Sequence, residues 1–379
     1  VWCGANRFLH TEVTRQDAVI RQIFGWERIC GQDTYKRFFG KFTHGMNQRV
    51  FTLMYRWFFQ GLQFDNYTLD VDSSVLTRYG DQEGAKLGYN TKKPGRKSHH
   101  PLMAFVADCR MVANLWLRSG NAHSANNMFS FLEDTLHKLD GKKIGLLRGD
   151  SGFYGEEIFR YLEERETAIS YIIAARLYAP VQRQISQQRV WLNLGSGIEV
   201  GETTCLGVNS SKIRRMVIVR QQIQERPKAT GKQLRLFQGS DIYNQYRYHC
   251  FITNLTLPAQ QVWNLYKQRA DAENRIKELK YDFGFDSFNI NNFFGTEAAL
   301  NMVMLAYNLM SLFRQSMLGS KVHHKLSTLR YRLFVMGGYM VKDGNRRILK
   351  LSLAMKRREW FLGLWDKTSA FSLPVKIET

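Results

Sequence analysis

The chain has 379 residues, of which 44% are hydrophobic and 13% are aromatic, and this composition excludes a disordered protein. Its 54 lysines and arginines exceed its 33 aspartates and glutamates and leave a net charge of +21. Such an excess favours a polyanionic partner, and nucleic acid is the expected one. The charge is also clustered, which disfavours the alternative of a protein that is merely basic throughout.

The cysteines and the hydropathy pattern predict a cytoplasmic protein. The five cysteines are scattered and form no Cys-x-x-Cys pair or zinc-binding spacing with histidine, as expected in a reducing compartment. We find no signal peptide, and the longest apolar run, 298–313, is interrupted by Asn301 and Asn308. We therefore expect a buried helix there and no membrane partner. Because the chain starts at Val1 rather than methionine, we expect a fragment that lacks its natural N-terminus.

The first part of the chain predicts helices and then alternating strands and helices. Apolar residues at helical spacing predict helices within 14–62, and an alternating, β-branched pattern predicts a strand at 64–75. The next predicted elements are a Gly- and Lys-rich loop (80–100), two strands (102–117), a helix (124–139), a strand (142–150), a helix (155–164) and a strand (168–175). Strands that alternate with helices indicate an α/β core.

The second part of the chain predicts an interruption of this core. Polar, strand-like sequence from 177 to 250 indicates a β-rich insertion. A helix is then predicted over 258–284, a hydrophobic helix over 296–317, and a basic tail over 321–376.

The helix predicted over 258–284 combines four side chains suited to bind a phosphodiester. At about 100° per residue, Tyr266, Arg269, Glu273 and Lys280 lie within about 60° of one another. An apolar face lies directly beside this stripe, so we expect the helix to dock on a core with the stripe at its rim.

Two further carboxylates lie on predicted strands. Asp70 and Asp72 are two residues apart, so both point to the same face; a polar, exposed strand face is the alternative. Asp150 ends another strand before a glycine turn, where α/β sheets place their sites. With Glu273, two strand-borne aspartates can hold two divalent ions about 3.5–4 Å apart for attack on a phosphodiester. Hard oxygen ligands without a Cys/His cluster favour Mg²⁺ or Mn²⁺ over zinc.

Two other motifs overlap the segment around Asp150. The tripeptide 148–150 (RGD) resembles an adhesion motif, for which a cytosolic chain offers no context. The segment 149–152 (GDSG) resembles the nucleophile loop of serine proteases, but it continues with Phe-Tyr instead of Gly-Pro. No Ala-Ala-His-Cys segment supplies the histidine that a catalytic triad needs. Both interpretations are therefore disfavoured.

The spacing Tyr-x2-Arg-x3-Glu-x6-Lys at 266–280 resembles the signature of the DDE transposases of bacterial insertion sequences. The segments 69–74 (LDVDSS) and 150–153 (DSGF) are similar to the other two blocks of that family and occur in the same order. The segments 81–90 and 95–102 look like one of its subgroups. The resemblance covers residues from about 64 to 285, and it implies an RNase H-like core interrupted by a β insertion.

The resemblance implies roles for the three acids. Asp72, Asp150 and Glu273 would be the catalytic, metal-binding triad, with Mg²⁺ or Mn²⁺ as the cofactor and two ions per site. We prefer Asp72 to Asp70 because the family aspartate directly precedes a hydroxyl residue.

The resemblance also implies roles for the rest of the stripe. Tyr266, Arg269 and Lys280 would contact DNA phosphates near the cut end. A metal-activated water would free a 3′-OH, and the same site would let that 3′-OH attack target DNA.

Basic segments outside the stripe are expected to hold the DNA backbone. Lys92, Lys93, Arg96 and Lys97 follow the first catalytic strand and are predicted DNA-binding residues. Others are Lys212, Arg214, Arg215, Arg220 and Arg226 in the insertion and Arg347, Lys356, Arg357 and Arg358 in the tail. Taken singly, each of these basic residues is best interpreted as part of a solvated face. Taken together, they indicate contacts with DNA phosphates. Trp191 could stack a base, but core packing is the favoured interpretation.

The predicted fold class is α/β, with an RNase H-like mixed-sheet core, a β-rich insertion and helical N- and C-terminal regions. The predicted regions are a truncated helical region that contacts DNA ends (1–62), the first part of the catalytic core (63–176), the β-rich insertion (177–252), the second part of the core with the Glu helix (253–318) and a basic C-terminal region (319–379).

The predicted function is that of a DNA transposase in the bacterial cytoplasm, associated with the nucleoid. Its partners would be double-stranded DNA, as inverted-repeat ends and target, and a second copy of the chain in a synaptic homodimer. One alternative is a metal-dependent, RNase H-like endonuclease without strand transfer. Another is an inactive, domesticated DNA-binding protein, which the presence of all three acids disfavours.

Overall fold

The computed structural model describes residues 1–63, 66–90, 92–122, 127–165, 168–206, 212–223, 245–288, 290–319, 323–369 and 377–378. Within these ranges, nine strands form one continuous mixed sheet. In chain order they are β1 (Tyr67–Ser73), β2 (Leu102–Val106), β3 (Met111–Trp116), β4 (Ile144–Gly149), β5 (Ser170–Ala174), β6 (Leu192–Gly195), β7 (Ile198–Leu206), β8 (Ile213–Gln222) and β9 (Tyr246–Thr253). Their order across the sheet is β3–β2–β1–β4–β5–β9–β8–β7–β6.

The first five strands form the half of the sheet that carries the predicted aspartates. Strands β1, β2 and β3 make an antiparallel meander, whereas β1, β4 and β5 run parallel. The carboxyl ends of the parallel strands therefore meet at one edge of the sheet. All five residues of β2 are buried, as expected for a strand covered on both faces.

Helices flank the sheet and lie at both ends of the chain. They are α1 (Thr11–Gln16), α2 (Ala18–Phe24), α3 (Gln32–Phe39), α4 (His44–Gln60), α5 (Met128–Leu139), α6 (Glu156–Glu163), α7 (Ala179–Gln187), α8 (Ala259–Lys267), α9 (Ala270–Tyr281), α10 (Phe293–Phe313), α11 (Leu326–Leu329) and α12 (Arg358–Ser369). Short 3₁₀ turns lie at Phe8–His10, Ser151–Phe153 and Met355–Arg357, and π-helical segments at Arg314–Leu318 and Arg330–Phe334. The mixed α/β fold with helical ends is thus confirmed, and it is consistent with an RNase H-like core.

Within the described part of the chain, six short strands pair outside the main sheet. Leu62–Gln63 pairs with Ile377–Glu378, Leu76–Thr77 with Ser98–His99, and Gly338–Asp343 with Arg346–Leu351. The part of the chain predicted as a basic tail therefore contains a β-hairpin as well as helices.

Helix α10 is buried, as predicted from its apolar run. The side chain of Asn308 pins it to β3, because it accepts from the Val112 N–H at 2.7 Å and donates to the Val112 carbonyl at 2.8 Å. Asn301 accepts a hydrogen bond from the Tyr55 hydroxyl at 2.9 Å. The two asparagines that interrupt the run thus pair with other buried polar groups. Among the described residues, no helix is both long and apolar enough to cross a membrane.

The predicted insertion extends the core sheet instead of forming a separate one. Strand β9 pairs antiparallel with β5, placing Phe251 opposite Ala174. Helix α8 packs against β7 and β8. The apolar cluster there contains Val217, Phe251 and Val262. The sheet runs without a break past the boundary predicted at residue 177, and the domain limits stay predictions.

The single helix predicted over 258–284 is wrong, because the segment is divided into α8 and α9. In a continuous helix the Arg269 N–H would donate to the Leu265 carbonyl. Here the guanidinium of Arg148 donates to that carbonyl at 2.6 Å, and the Arg269 N–H donates to the Tyr266 carbonyl at 2.9 Å. A side chain that enters the hydrogen-bond ladder in this way interrupts the ladder and kinks a helix, although residues 268 and 269 keep helical backbone angles.

Candidate active site

Three carboxylates from distant parts of the chain open onto one cavity of about 880 Å³, which we call the acid cleft. Asp72 lies near the end of β1, Asp150 directly follows β4, and Glu273 lies on α9. Val71 and Gly149 pair in the parallel ladder between β1 and β4, so the next residue of each strand reaches the same level of the edge. The structure therefore brings the three acids predicted from the sequence into one cleft.

The two aspartates of β1 have different surroundings. Asp70 is completely buried, and both of its carboxylate oxygens accept from Arg148, at 2.6 and 2.9 Å. Asp72, two residues nearer the edge, lines the acid cleft. Both point to the same face of the strand, as predicted, but the Asp70 carboxylate is enclosed by its arginine and Asp72 faces the cavity.

The carboxylates of the acid cleft are crowded. Burial is the main cause that raises the pKa of Asp72 to about 6; Arg269 opposes the rise, and the charges of Asp150 and Glu273 add to it. Hydrogen bonds orient the two aspartates: Asp72 accepts from the Ser73 N–H at 2.8 Å, and Asp150 from the Gly152 N–H at 2.8 Å. Crowded, oriented carboxylate oxygens suit a hard divalent cation, which would offset their mutual repulsion.

Arg269 lies between two of the acids. Its side chain is 5% exposed; one terminal nitrogen lies 3.1 Å from Asp72 Oδ2 and the other 3.8 Å from Glu273 Oε1. Its Nε has no hydrogen-bond partner among the described residues. In the described ranges, no three His, Cys, Asp or Glu side chains converge closely enough to hold a metal ion. The Glu273 side chain is 58% exposed, so its position is less constrained than that of buried Arg269.

Tyr266 and Lys280 complete the predicted stripe, and both line the acid cleft. The Tyr266 ring centroid lies 4.2 Å from that of Phe251, so the β9 strand supports the phenol. Burial raises the pKa of Tyr266 to about 12, and the hydroxyl therefore stays a hydrogen-bond donor at neutral pH. The Lys280 ammonium donates to the Val75 carbonyl at 3.0 Å. Burial, and then the nearby charge of Lys92, lower the pKa of Lys280.

Of the four cations predicted to bind DNA in the Gly- and Lys-rich loop, two line cavities at the site and two do not. Lys92 lines the acid cleft, and both Lys92 and Lys93 line a neighbouring cavity. Arg96 lies with its guanidinium carbon 5.8 Å from the centre of the Tyr79 ring, and Lys97 pairs with an exposed aspartate at 2.5 Å. Neither Arg96 nor Lys97 is among the lining residues described for these two cavities.

Two cations of the cleft were not singled out from the sequence. Arg176 lines it beside Asp150, and its Nε donates to the Ser151 carbonyl at 2.8 Å. Lys277 lines it one helical turn after Glu273. Helical spacing would have found Lys277, because residues four apart share a face. Arg176 follows β5, and no motif in the sequence marks it.

The predicted cations of the insertion form ion pairs within the protein. Salt bridges of 2.6 to 2.8 Å link these residues to glutamates: Lys212 and Arg214 to Glu163, Arg214 also to Glu156, Arg215 to Glu202 and Arg220 to Glu199. Arg226 lies outside the described residues. The guanidinium of Arg220 also lies 4.0 Å from the ring centre of Trp191, which is partly buried against the core. The contacts of these cations are therefore with the protein's own carboxylates and rings.

Comparison with known proteins gives one family match. Residues 1–370 match the family described as transposase DDE domain group 1. No curated protein matches the chain. Among solved structures, the cryo-EM structure of a piggyBac transposase synaptic complex with hairpin DNA is similar to the chain, with a TM-score of 0.43 and 12% sequence identity. The similarity covers 75% of this chain, which spans only 55% of that one.

Proposed function

The chain belongs to the transposase DDE domain group 1 family, and on that premise we propose that it cuts DNA at the ends of an insertion sequence and joins the freed 3′-OH to target DNA. The observation that carries this proposal is the meeting of Asp72, Asp150 and Glu273 in the acid cleft, with cations around them. Family membership supports the transposase class; the arrangement of the cleft supports the roles of individual residues.

We propose that the three acids hold two divalent ions, Mg²⁺ or Mn²⁺. Carboxylate oxygens are the ligands these ions prefer, and the described cleft lining offers no cysteine. When bound, the ions supply activation of the attacking hydroxyl and neutralisation of charge at the phosphate. Asp72 and Asp150 are held by backbone N–H groups, so they form the fixed part of this ligand set, and exposed Glu273 is the part that moves.

The other cleft residues bind and orient the DNA. Lys280, Lys277 and Arg176 border the acids and attract the phosphates on either side of the scissile bond. The Tyr266 hydroxyl donates a hydrogen bond to a phosphate oxygen. Arg269, once displaced from Glu273, retains a donor for the same phosphate and stabilises its developing charge.

Single substitutions of the acids test these roles. Asp72→Asn, Asp150→Asn and Glu273→Gln should each lower Mg²⁺-dependent cleavage of labelled inverted-repeat DNA more than about 100-fold, beyond the loss typical of a residue that merely supports a ligand. Asp81→Asn is the matched control, because Asp81 is an exposed aspartate outside the cleft and should retain the parent rate. Full cleavage by any of the three cleft variants would refute the site.

The same assay separates the transposase from its alternatives. With a target plasmid present, labelled ends should become joined to the plasmid in Mg²⁺ and remain intact in EDTA. Cut ends that never join would indicate a metal-dependent endonuclease instead. Binding to the ends without cutting would indicate an inactive DNA-binding protein.

We further propose that two copies of the chain assemble on paired ends and that the protein works on the bacterial nucleoid. Light scattering of the protein with and without labelled DNA ends measures the mass of the assembly and so tests the first point. A complex that contains a single protomer at full joining activity would contradict it.

A further inference from the structure

A second cavity of about 540 Å³ adjoins the acid cleft. Four residues line both cavities: Val75, Lys92, Lys280 and Tyr281. The two cavities are therefore neighbours that share part of their lining. We call the second cavity, which is also lined by residues of the N-terminal helix α3, the side groove.

The side groove is strongly basic. Arg7, Lys36 and Lys93 line it together with the two shared lysines. Asp286 is the one carboxylate among its described lining residues. Lys92 and Lys280 lie close enough for the charge of Lys92 to disfavour the protonated form of Lys280. An anion placed between them would relieve this repulsion.

The side groove also exposes aromatic rings. Tyr79 and Tyr281 line it and are 69% and 74% exposed. The ammonium of Lys93 donates to the Tyr79 hydroxyl at 2.6 Å and lies 5.2 Å from the ring centre, so Tyr79 is oriented by a cation that itself lines the groove. Rings this exposed contribute little to a core, whereas rings between cations are the usual stacking platforms for unpaired bases.

We propose that the side groove binds an unpaired DNA strand leading to the scissile phosphate, with phosphates on Lys92, Lys93 and Lys280 and bases stacked on Tyr79 and Tyr281. This inference rests on the proposed function, since DNA must enter the acid cleft. A duplex presents phosphates but keeps its base faces stacked inside, so it would use the lysines and leave the tyrosines without a role.

The test compares a blunt duplex end with the same end carrying a single-stranded extension, by fluorescence anisotropy in EDTA. The protein should bind the extended end more tightly. The double variant Tyr79→Ala/Tyr281→Ala should lose about tenfold or more in affinity for the extended end and keep its affinity for the blunt end. Tyr331→Ala is the matched control, because Tyr331 is 73% exposed and is not among the lining residues of either cavity.

Two results would overturn the inference: equal binding of the two ends by the parent protein, or a double variant that behaves like Tyr331→Ala. Lys93→Gln separates charge from stacking. It should lower the affinity for both the blunt and the extended DNA end, and it should reduce the salt dependence of binding. Because this assay contains no metal ion and no cleavage step, its failure is distinct from failure of the proposed reaction. If the protein cuts and joins DNA but binds the extended end no more tightly than the blunt end, this inference fails and the proposed function stands.

Discussion

At the scale of single residues, environment separates side chains that look equivalent along a strand. Asp70 and Asp72 share a face of β1, yet Asp70 is enclosed with Arg148 and Asp72 opens onto the acid cleft. A buried carboxylate held by two charge-assisted hydrogen bonds is tolerated when paired, and losing one partner of the pair is costly to the fold. The first aspartate therefore serves structure, and the proposed catalytic role belongs to the second.

Asp70→Asn and Asp72→Asn should consequently differ in their effects on the free energy of unfolding. Asp70→Asn leaves the Arg148 charge buried without its counter-ion and should lower the free energy of unfolding by about 3–5 kcal/mol. Asp72→Asn relieves repulsion among the acids and should leave stability unchanged or raised while it abolishes cleavage. Urea denaturation and the cleavage assay measure both effects. Equal losses of stability in the two variants would contradict this assignment.

At the scale of secondary-structure elements, the break between α8 and α9 decides how the stripe is presented. Arg148 bonds the Leu265 carbonyl at 2.6 Å and also reaches the Gln268 side chain at 3.4 Å, beside the turn that starts α9. One guanidinium thus links β1, β4 and the helix pair. Through this link the strand that carries Asp72 and the helix that carries Glu273 are held in one geometry.

The double variant Asp70→Asn/Arg148→Met tests this link. Removing both charges should recover much of the stability that Asp70→Asn alone loses. It frees the Leu265 carbonyl, so α8 and α9 can join into one helix and move Glu273. Cleavage should fall about tenfold or more, with a higher Mg²⁺ concentration needed for half-maximal rate.

A second buried pair supplies the control for that experiment. Lys138 and Asp134 lie 2.7 Å apart with side chains 3% and 12% exposed, and neither lines the acid cleft. Lys138→Met/Asp134→Asn should alter stability without changing the Mg²⁺ requirement. If the Asp70/Arg148 double variant keeps the parent's Mg²⁺ requirement, Arg148 has no positioning role.

At the scale of the whole molecule, ion pairs tie the insertion strands to the core. Arg214 on β8 bonds Glu163 and Glu156 on α6, and the side chains of Lys212 and Tyr171 also donate to Glu163. Burial tends to raise the pKa of Glu163, but these hydrogen bonds outweigh it and lower the pKa to about 2. Lys212 and Arg214 thus tie the insertion to the core, whereas Arg215 and Arg220 pair with glutamates of the neighbouring strand β7.

The depressed pKa of Glu163 predicts a defined pH dependence of stability. Its contribution is fully present above the ordinary value of 4.5 and is lost as the pH falls through 4.5 toward 2. Glu163→Gln should therefore lower the free energy of unfolding by about 3 kcal/mol at pH 7, and the difference from the parent should shrink at pH 3. Denaturant titrations at both pH values measure it. A constant difference would show that Glu163 is not held ionised by Arg214.

The sequence predicted the features that depend on neighbours along the chain. Strand alternation put Asp70 and Asp72 on one face, and a glycine turn marked Asp150 at a strand end. Helical spacing grouped Tyr266, Arg269, Glu273 and Lys280, and all four line the cleft although the helix is broken, because residues 268 and 269 keep helical backbone angles. The α/β alternation also predicted the mixed sheet.

Tertiary structure alone decided which charges meet. That Asp70 pairs with Arg148, that Arg269 lies between Asp72 and Glu273, and that the insertion cations face glutamates all depend on which strands lie side by side. Periodicity determines the face on which a side chain lies but not the element opposite it. A carboxylate therefore becomes a structural partner when the fold encloses it with a cation, as with Asp70. It becomes a candidate metal ligand when the fold leaves it facing a cavity beside other carboxylates, as with Asp72.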